Sequence, residues 1–280
     1  MKKSYFPTLH DYPVQKRLLV FTFLLAVILP GCQSTQEVVK ENPKPAPASE
    51  KKRAEPEMAI QVASLDLSSY ARRIEKADVM QFAEELKRER IDILSLQGIT
   101  RYPGLATRVD IVDELSKVAD MRNAFGETIM LNNRQGGNAV FSTYPIRSSE
   151  NSHYTGLQSI GFEAALQTII DCGIRDVVIV STKLPPKASA EELASASDLL
   201  SGFNAFYINH PIIIAGRAPR DAMLQVNQTY AEVQQVRDPN LPRMWYSNDG
   251  SLKFDNVIVV KTIFGPMVVA QFGIFRQKQP

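Results

Sequence analysis

Histidine and cysteine are scarce in this chain of 280 residues, which holds three of the first and two of the second. With so few, no zinc-binding spacing can be written, and His153 and His210 alone lie beyond the apolar N-terminal run. A phosphate-cradling glycine loop and a nucleophile elbow are missing as well. Neither sign of charge dominates. Lys and Arg number 32 against 30 Asp and Glu, a net charge of +2, and no basic stripe with interleaved aromatics is present, so nucleic acid is an unlooked-for partner. No apolar run reaches the ~20 residues of a comfortable membrane span. What is present suffices for a sizeable core, at 44% apolar and 22% charged residues.

The N-terminus reads as a processing signal. Lys2, Lys3, Lys16 and Arg17 precede an apolar run, Leu18 to Leu29, broken only by Thr22. A basic start, a short apolar core and small residues before a cleavage point make a secretory signal. Leu29-Pro30-Gly31-Cys32 resembles the bacterial lipobox, although Pro30 is unusual in it. The resemblance implies that residues 1–31 are removed and that Cys32 is acylated, with membrane attachment through the lipid. A signal anchor with an incidental Cys32 is the competing reading. Gln33 in place of the Asp that commonly marks inner-membrane retention leans the expected location to the outer membrane, facing the periplasm. Once Cys32 is lipidated no intrachain disulfide remains, and Cys172 reads as a small buried hydrophobe. Residues 32–57 carry Pro43, Pro45, Pro47 and Pro56 among Lys, Glu, Ala and Ser, the composition of a disordered tether.

The folded domain is expected over residues 58–280. Ile60, Val62 and Ser64-Leu65 read as a first strand. Helical spacing follows over Ile74 to Arg90, then a buried strand at Ile91 to Leu96 and a helix over Val109 to Ala119. Asn123 to Leu131 and Asn138 to Thr143 read as strands around a turn at Gly136-Gly137. The second half repeats the rhythm: strands at Ser159 to Ile170 and Val177 to Thr182, a helix over Ala188 to Ile208, and strands at Pro211 to Ala215, Leu252 to Val260 and Thr262 to Gly273. Alternation of this kind predicts α/β layers with the sheets inside.

Five stretches give that order a more particular look: Leu94-Ser95-Leu96-Gln97, the run Gly137 to Ile146, Val178 to Leu184, Ile212-Ile213-Ile214-Ala215-Gly216, and Phe254 to Val259. Together they resemble the endonuclease/exonuclease/phosphatase family, whose fold is a four-layered α/β sandwich of the DNase I type. The resemblance implies a metal-dependent phosphoesterase site, and it also shows that site taken apart. Asp66 stands where the family has its first metal-holding Asn. Gly98 stands where the family has its metal-binding Glu, and Lys183 replaces the His of the Thr-His-Leu pattern. In the Gly-Asp-x-Asn loop Arg217 replaces the Asp and Pro219 the Asn, unless a shift in register brings Asp221 to the loop Asp. Asp255 keeps the Asp before the penultimate strand. The terminal Ser-Asp-His finds no counterpart, and His153 and His210 read as loop residues outside any matching motif.

Two functional readings follow. The favoured one is a non-catalytic envelope lipoprotein that uses the domain for binding or scaffolding, with an envelope protein as partner and no cofactor. Its remnant cleft would be lined by Asp66, Asn138, Lys183, Arg217 and Asp255, with Arg220, Arg243, Trp245 and Tyr246 at the rim. Such a mixture suits an anionic or sugar-containing ligand. Within the cleft, however, the preferred assignment is an internal ion-pair cluster in which Lys183 and Arg217 neutralise Asp66 and Asp255. The alternative is an active phosphoesterase or nuclease with a rearranged site, which would need Mg2+ or Mn2+.

Overall fold

The computed structural model describes residues 55–105, 107–131, 134–154, 164–184, 188–218, 226–233 and 238–276. Cys32, the tether up to residue 54, Pro219, Arg220 and Asp221 lie outside them.

The chain opens with strand β1 (Met58–Asp66), helix α1 (Lys76–Arg88), β2 (Ile93–Arg101), α2 (Ile111–Ala119), β3 (Arg122–Leu131), β4 (Arg134–Ser142) and β5 (Ile146–His153). It continues with β6 (Ala164–Asp171), β7 (Asp176–Lys183), α3 (Ala190–Phe206), β8 (Ile212–Arg217), the single turn α4 (Val226–Thr229), β9 (Tyr230–Glu232), β10 (Arg243–Ser247), β11 (Leu252–Thr262) and β12 (Gly265–Ile274). Two six-stranded sheets result, ordered β11-β12-β1-β2-β4-β3 and β5-β6-β7-β8-β10-β9. In each sheet one strand pair is parallel, β1 with β2 through α1 and β7 with β8 through α3, as a helical crossover requires.

The layers follow from which strand faces are apolar. Ile60, Val62, Ile93 and Val140 of the first sheet meet Ile179, Ile213, Ala215 and Met244 of the second in one shared core. The opposite face of the first sheet packs Leu65, Leu94 and Leu96 against Phe82 and Leu86 of α1 and Leu115 of α2. The opposite face of the second packs Val178, Val180 and Ile214 against Ala196, Leu200 and Phe203 of α3. Central strands buried on both faces read as near-continuous apolar runs, as Val177 to Val180 and Ile212 to Ala215 do. This is the expected four-layered α/β sandwich.

Several local expectations change. Gly136 and Gly137 lie inside β4, opposite Ile129 and Glu127. A side chain at Gly137 would strike the Gly126 carbonyl at 2.1 Å, so glycine here serves close approach of two strands. The segment from Ile146 to His153 is a strand, and His153 sits in it beside Ala164. Its burial is slight, which hid it from a search for alternation. Strands β9 and β10 also went unread, because β10 is short and β9 shorter.

Candidate functional site

The parallel pairs bring the carboxyl ends of β1, β2, β7 and β8 to one edge of the sandwich. Crevices beyond the carboxyl ends of parallel strands are where α/β folds place ligands. Here the floor is polar and dry. Ser95 Oγ donates to Ser181 Oγ at 2.8 Å across the two sheets, and Gln97 Nε2 donates to Ser95 Oγ at 2.6 Å. Ser64 Oγ donates to Gln97 Oε1 at 3.3 Å, and Gln97 itself is fully buried. Asn138 lies at the same depth: its Oδ1 accepts from the Gly98 N–H and its Nδ2 donates to the Ala164 carbonyl at 3.1 Å.

Asp66 closes β1 above this floor. Its Oδ1 accepts from the Ser68 N–H at 2.9 Å, and its Oδ2 lies 3.1 Å from Arg217 Nη1. The Asp66 side chain is only 4% exposed, against 28% for Arg217, so the pair is largely out of water on its anionic side. Arg217 is held from beneath: Gly216 approaches Thr182 so closely that a Cβ would sit 1.7 Å from the Thr182 carbonyl oxygen. Lys183 is the register partner of Arg217 across β7 and β8, which puts both cationic residues at the same rim. Thr182 Oγ1 is hydrogen-bonded to the Tyr154 hydroxyl in the buried layer below, and burial pushes that phenol above its ordinary range.

Gly98 departs most from a metal-binding position. It sits in a β-bulge between Leu96 and Ile99, with φ of +65°. A Cβ there would fall 2.7 Å from Ser68 Cβ and 2.9 Å from the Ser68 nitrogen. The first turn after β1 therefore fills the space into which a longer side chain would extend.

Asp66, Asn138, Lys183 and Arg217 thus gather at one edge, and Asp255 does not join them. It lies in a bulge of β11 between Phe254 and Asn256, and its carboxylate pairs with Lys253 Nζ at 2.7 Å. That bulge faces Gly273, the register partner of Ala59, seven residues before Asp66 along β1. At about 3.3 Å per residue the two carboxylates are some ~23 Å apart along the strand. The expected ion-pair cluster is therefore realised as two separate pairs, Asp66 with Arg217 and Asp255 with Lys253. The segment that does reach Asp66 is the tight turn before β12, where Phe264, Gly265 and Pro266 join Asp66, Tyr70 and Arg217 around a cavity of about 380 Å3.

The expected rim is redistributed too. Arg243 stands at the cleft edge but is paired with Glu232 at 2.8 Å. Trp245 is 1% exposed and belongs to the core under α3. Tyr246 points the other way and stacks with Phe272 and Phe254 at the opposite end of the sandwich, beside Arg175 and Arg276. His210 is fixed by its backbone N–H to the Tyr207 carbonyl, away from Asp66. Among the described residues no three carboxylate, imidazole or thiol groups converge as a metal would require. Cys172 is 3% exposed, and burial, with help from Asp171, Asp92 and Asp176, pushes its thiol up to about 12. At neutral pH it carries no thiolate and offers no nucleophile.

Sequence reasoning missed the cations that do face a cavity. A second pocket of about 370 Å3 adjoins the first at Tyr70 and runs under Gly98, Ile99 and Thr100. Arg72, Arg73 and Arg108 line it together with Tyr70 and Tyr102. The signal was available as Tyr70-Ala71-Arg72-Arg73 and Arg101-Tyr102 with Arg108, one arginine-tyrosine group after each of the first two strands.

No protein-family model matches the sequence, and no curated protein matches it significantly. Solved structures do match. An endonuclease/exonuclease/phosphatase from Beutenbergia cavernae is 14% identical, with a TM-score of 0.60 over 78% of this chain and 72% of that one. The catalytic domain of human nocturnin is 16% identical, with a TM-score of 0.59 over 78% of this chain and 94% of its own. A Leptotrichia buccalis endonuclease/exonuclease/phosphatase family protein is 11% identical, with a TM-score of 0.58 over 76% and 99% of the two chains. At these identities the likeness is one of architecture, and it agrees with the layers and strand order described above: the chain has the endonuclease/exonuclease/phosphatase fold.

Proposed function

We propose that this is a lipid-anchored protein of the bacterial envelope whose domain binds without catalysing. The observation that carries the reading is the occupation of Asp66 by Arg217 at 3.1 Å. A divalent ion on Asp66 would lie about 4–5 Å from that guanidinium. At an effective dielectric near ~20 the repulsion is roughly 7 kcal/mol, and among the described residues Asp238 is the one further carboxylate on the wall of the cavity beside Asp66, its Oδ1 already accepting from the Asn240 N–H. Gly98, folded over Ser68, supports the same reading, because a ligating side chain at that position has no room. In-line attack on a phosphodiester also needs an acid or base beside the cleft. The turn into β12 offers Phe264 and Pro266 there, and among the described residues no imidazole or thiol lines that cavity.

Titration of Mg2+ and Mn2+ into the purified protein, beside an Asp66→Asn control, tests this. No saturable heat at millimolar metal is expected from either. Saturable binding that disappears in Asp66→Asn would overturn the reading and return the domain to the phosphoesterases. Anchoring rests on Leu29-Pro30-Gly31-Cys32 alone. Labelling of growing bacterial cells with a radioactive fatty acid should mark the protein and leave Cys32→Ser unmarked. A labelled Cys32→Ser chain would refute the anchor.

A further inference from the structure

We infer that the pocket beyond the ends of β1 and β2 is a binding site for the phosphate head of a small soluble phosphomonoester, held by Arg72 and Arg108. The inference deepens the non-catalytic reading by giving the domain a ligand.

The pocket is cationic throughout. Its walls are Leu67, Ile74, Ile99, Val109 and other apolar or neutral groups with three arginines, and among the described residues no carboxylate lines it. The three guanidinium groups are not equivalent. Arg73 is a strut: its Nε lies 3.1 Å from Glu75 and its Nη2 donates to the Thr107 carbonyl, tying the loop after β1 to the loop after β2. Arg72 and Arg108 have no carboxylate within 4 Å among the described residues. Each rests on an aromatic face instead, Arg72 5.5 Å from the Tyr70 ring centre and Arg108 5.3 Å from that of Tyr102. Arg72 Nη2 also donates to the Tyr70 hydroxyl at 2.8 Å. An arginine laid on a ring keeps its planar fork orientated while most of its donors stay unused. Two such forks on facing loops, with a third fixing the gap between them, suit an oxyanion with more than one charge.

The surroundings are neutral enough to let that field act. The acids around the pocket are already committed, Glu75 to Arg73 and Asp110 and Asp113 to Arg101, and Asp110 also caps α2. Thr100 adds a hydroxyl to the wall, and the tyrosine rings offer flat surface to a compact body behind the phosphate. A cavity of about 370 Å3 is at the small end of ligand sites, which favours a single-ring molecule over a polymer.

The test is calorimetric titration of the intact protein in detergent at low ionic strength, with a chelator present so that metal plays no part. The probes are inorganic phosphate, glucose 6-phosphate and citrate. Phosphate and glucose 6-phosphate are expected to bind saturably, and salt should weaken both. Arg72→Ala and Arg108→Ala, both on exposed side chains, should each weaken binding by about tenfold, the loss of one charge-assisted contact. Arg88→Ala on the outside of α1 should change nothing. The site is refuted if neither phosphate probe binds at millimolar concentration, if citrate alone binds, or if the Arg72→Ala/Arg108→Ala double variant keeps wild-type affinity. Because the chelator removes divalent metal, a failure here leaves the metal titration of Asp66 to be judged separately.

Discussion

Asp66 is nearly out of contact with water, and one guanidinium matches its charge. Removing only that partner leaves a buried carboxylate with the Ser68 N–H as its remaining bond. Arg217→Ala is therefore expected to lower stability by about 2–3 kcal/mol, whereas Asp66→Asn combined with Arg217→Met should recover part of the loss, as uncharged pairs do at such sites. Urea denaturation of the two variants checks this, and an unchanged midpoint in Arg217→Ala would mean the pair is ornamental. Asp92 gives a second residue-scale expectation, this time in pH. Burial raises its carboxyl above the ordinary value of 3.8, opposed by the hydrogen bond from the Gln61 N–H. The folded chain then holds that proton more tightly than the unfolded chain. The resulting stabilisation is complete below the unfolded value and is lost as pH rises through the folded one. Asparagine carries no such proton, so the stability of Asp92→Asn relative to wild type should increase as pH rises above the ordinary carboxyl value of 3.8. A constant difference over that range would show that burial costs Asp92 nothing. The replacements Arg217 and Lys183 were legible in the sequence because each falls in a short motif. The partner of Asp66 was legible as one of those two cations, and strand register, acting across 151 positions of sequence, decides for Arg217.

At the scale of elements, β2 shows how one bulge changes what a strand end can do. The ladder between β2 and β4 shifts between Leu96 and Ile99, and Gly98 takes the left-handed backbone that the shift requires. A side chain at this position meets Ser68 and an unfavourable φ at once. Gly98→Glu should consequently cost about 2–3 kcal/mol and create no metal affinity, although it restores the missing carboxylate in name. Thermal unfolding and the same Mn2+ titration read both halves of that statement, and a stable, metal-binding Gly98→Glu protein would contradict it. Periodicity found α1, α2 and α3 because each helix has one apolar face and two of them carry a capping box. It found β1, β2, β7 and β8 because strands buried on both faces are continuous apolar runs. It failed on β5, whose outward positions are almost all polar and whose inward positions are barely covered. The assignment of Asp255 to the cleft failed for a related reason. A Phe-Asp-Asn-Val-Ile-Val run says strand and says nothing about which end of the sheet its aspartate occupies, and β11 proves to be the outer edge of the first sheet, with Asp255 at the far end.

At the scale of the whole molecule the two sheets do not correspond to two halves of the chain. The first sheet takes β1 to β4 from the N-terminal part of the domain but closes with β11 and β12 from the C-terminus, and β12 lies directly against β1. The second sheet takes its edge strand β5 from the N-terminal part. Each half therefore owes at least one strand to the other's sheet, and the shared core with its Ser95–Ser181 link forms only when both are present. This interleaving is what delivers the turn into β12 to Asp66 and the end of β8 to the end of β1, so the cleft is itself a product of the crossing. A cut between β5 and β6, in residues 155–163, tests the argument. Residues 55–154 alone would expose the apolar edge of β1 and the whole inner face of the first sheet, an arrangement with too little buried surface to offset chain entropy. That fragment is expected to show no cooperative thermal transition by circular dichroism, and neither should residues 164–280. Mixed or co-expressed, the two should assemble into a complex with one transition, because the strands that complete each sheet are then supplied in trans. A fragment 55–154 that folded cooperatively by itself would show that the N-terminal strands form a self-sufficient unit. The C-terminal hairpin would then be an addition to the cleft and no part of what creates it.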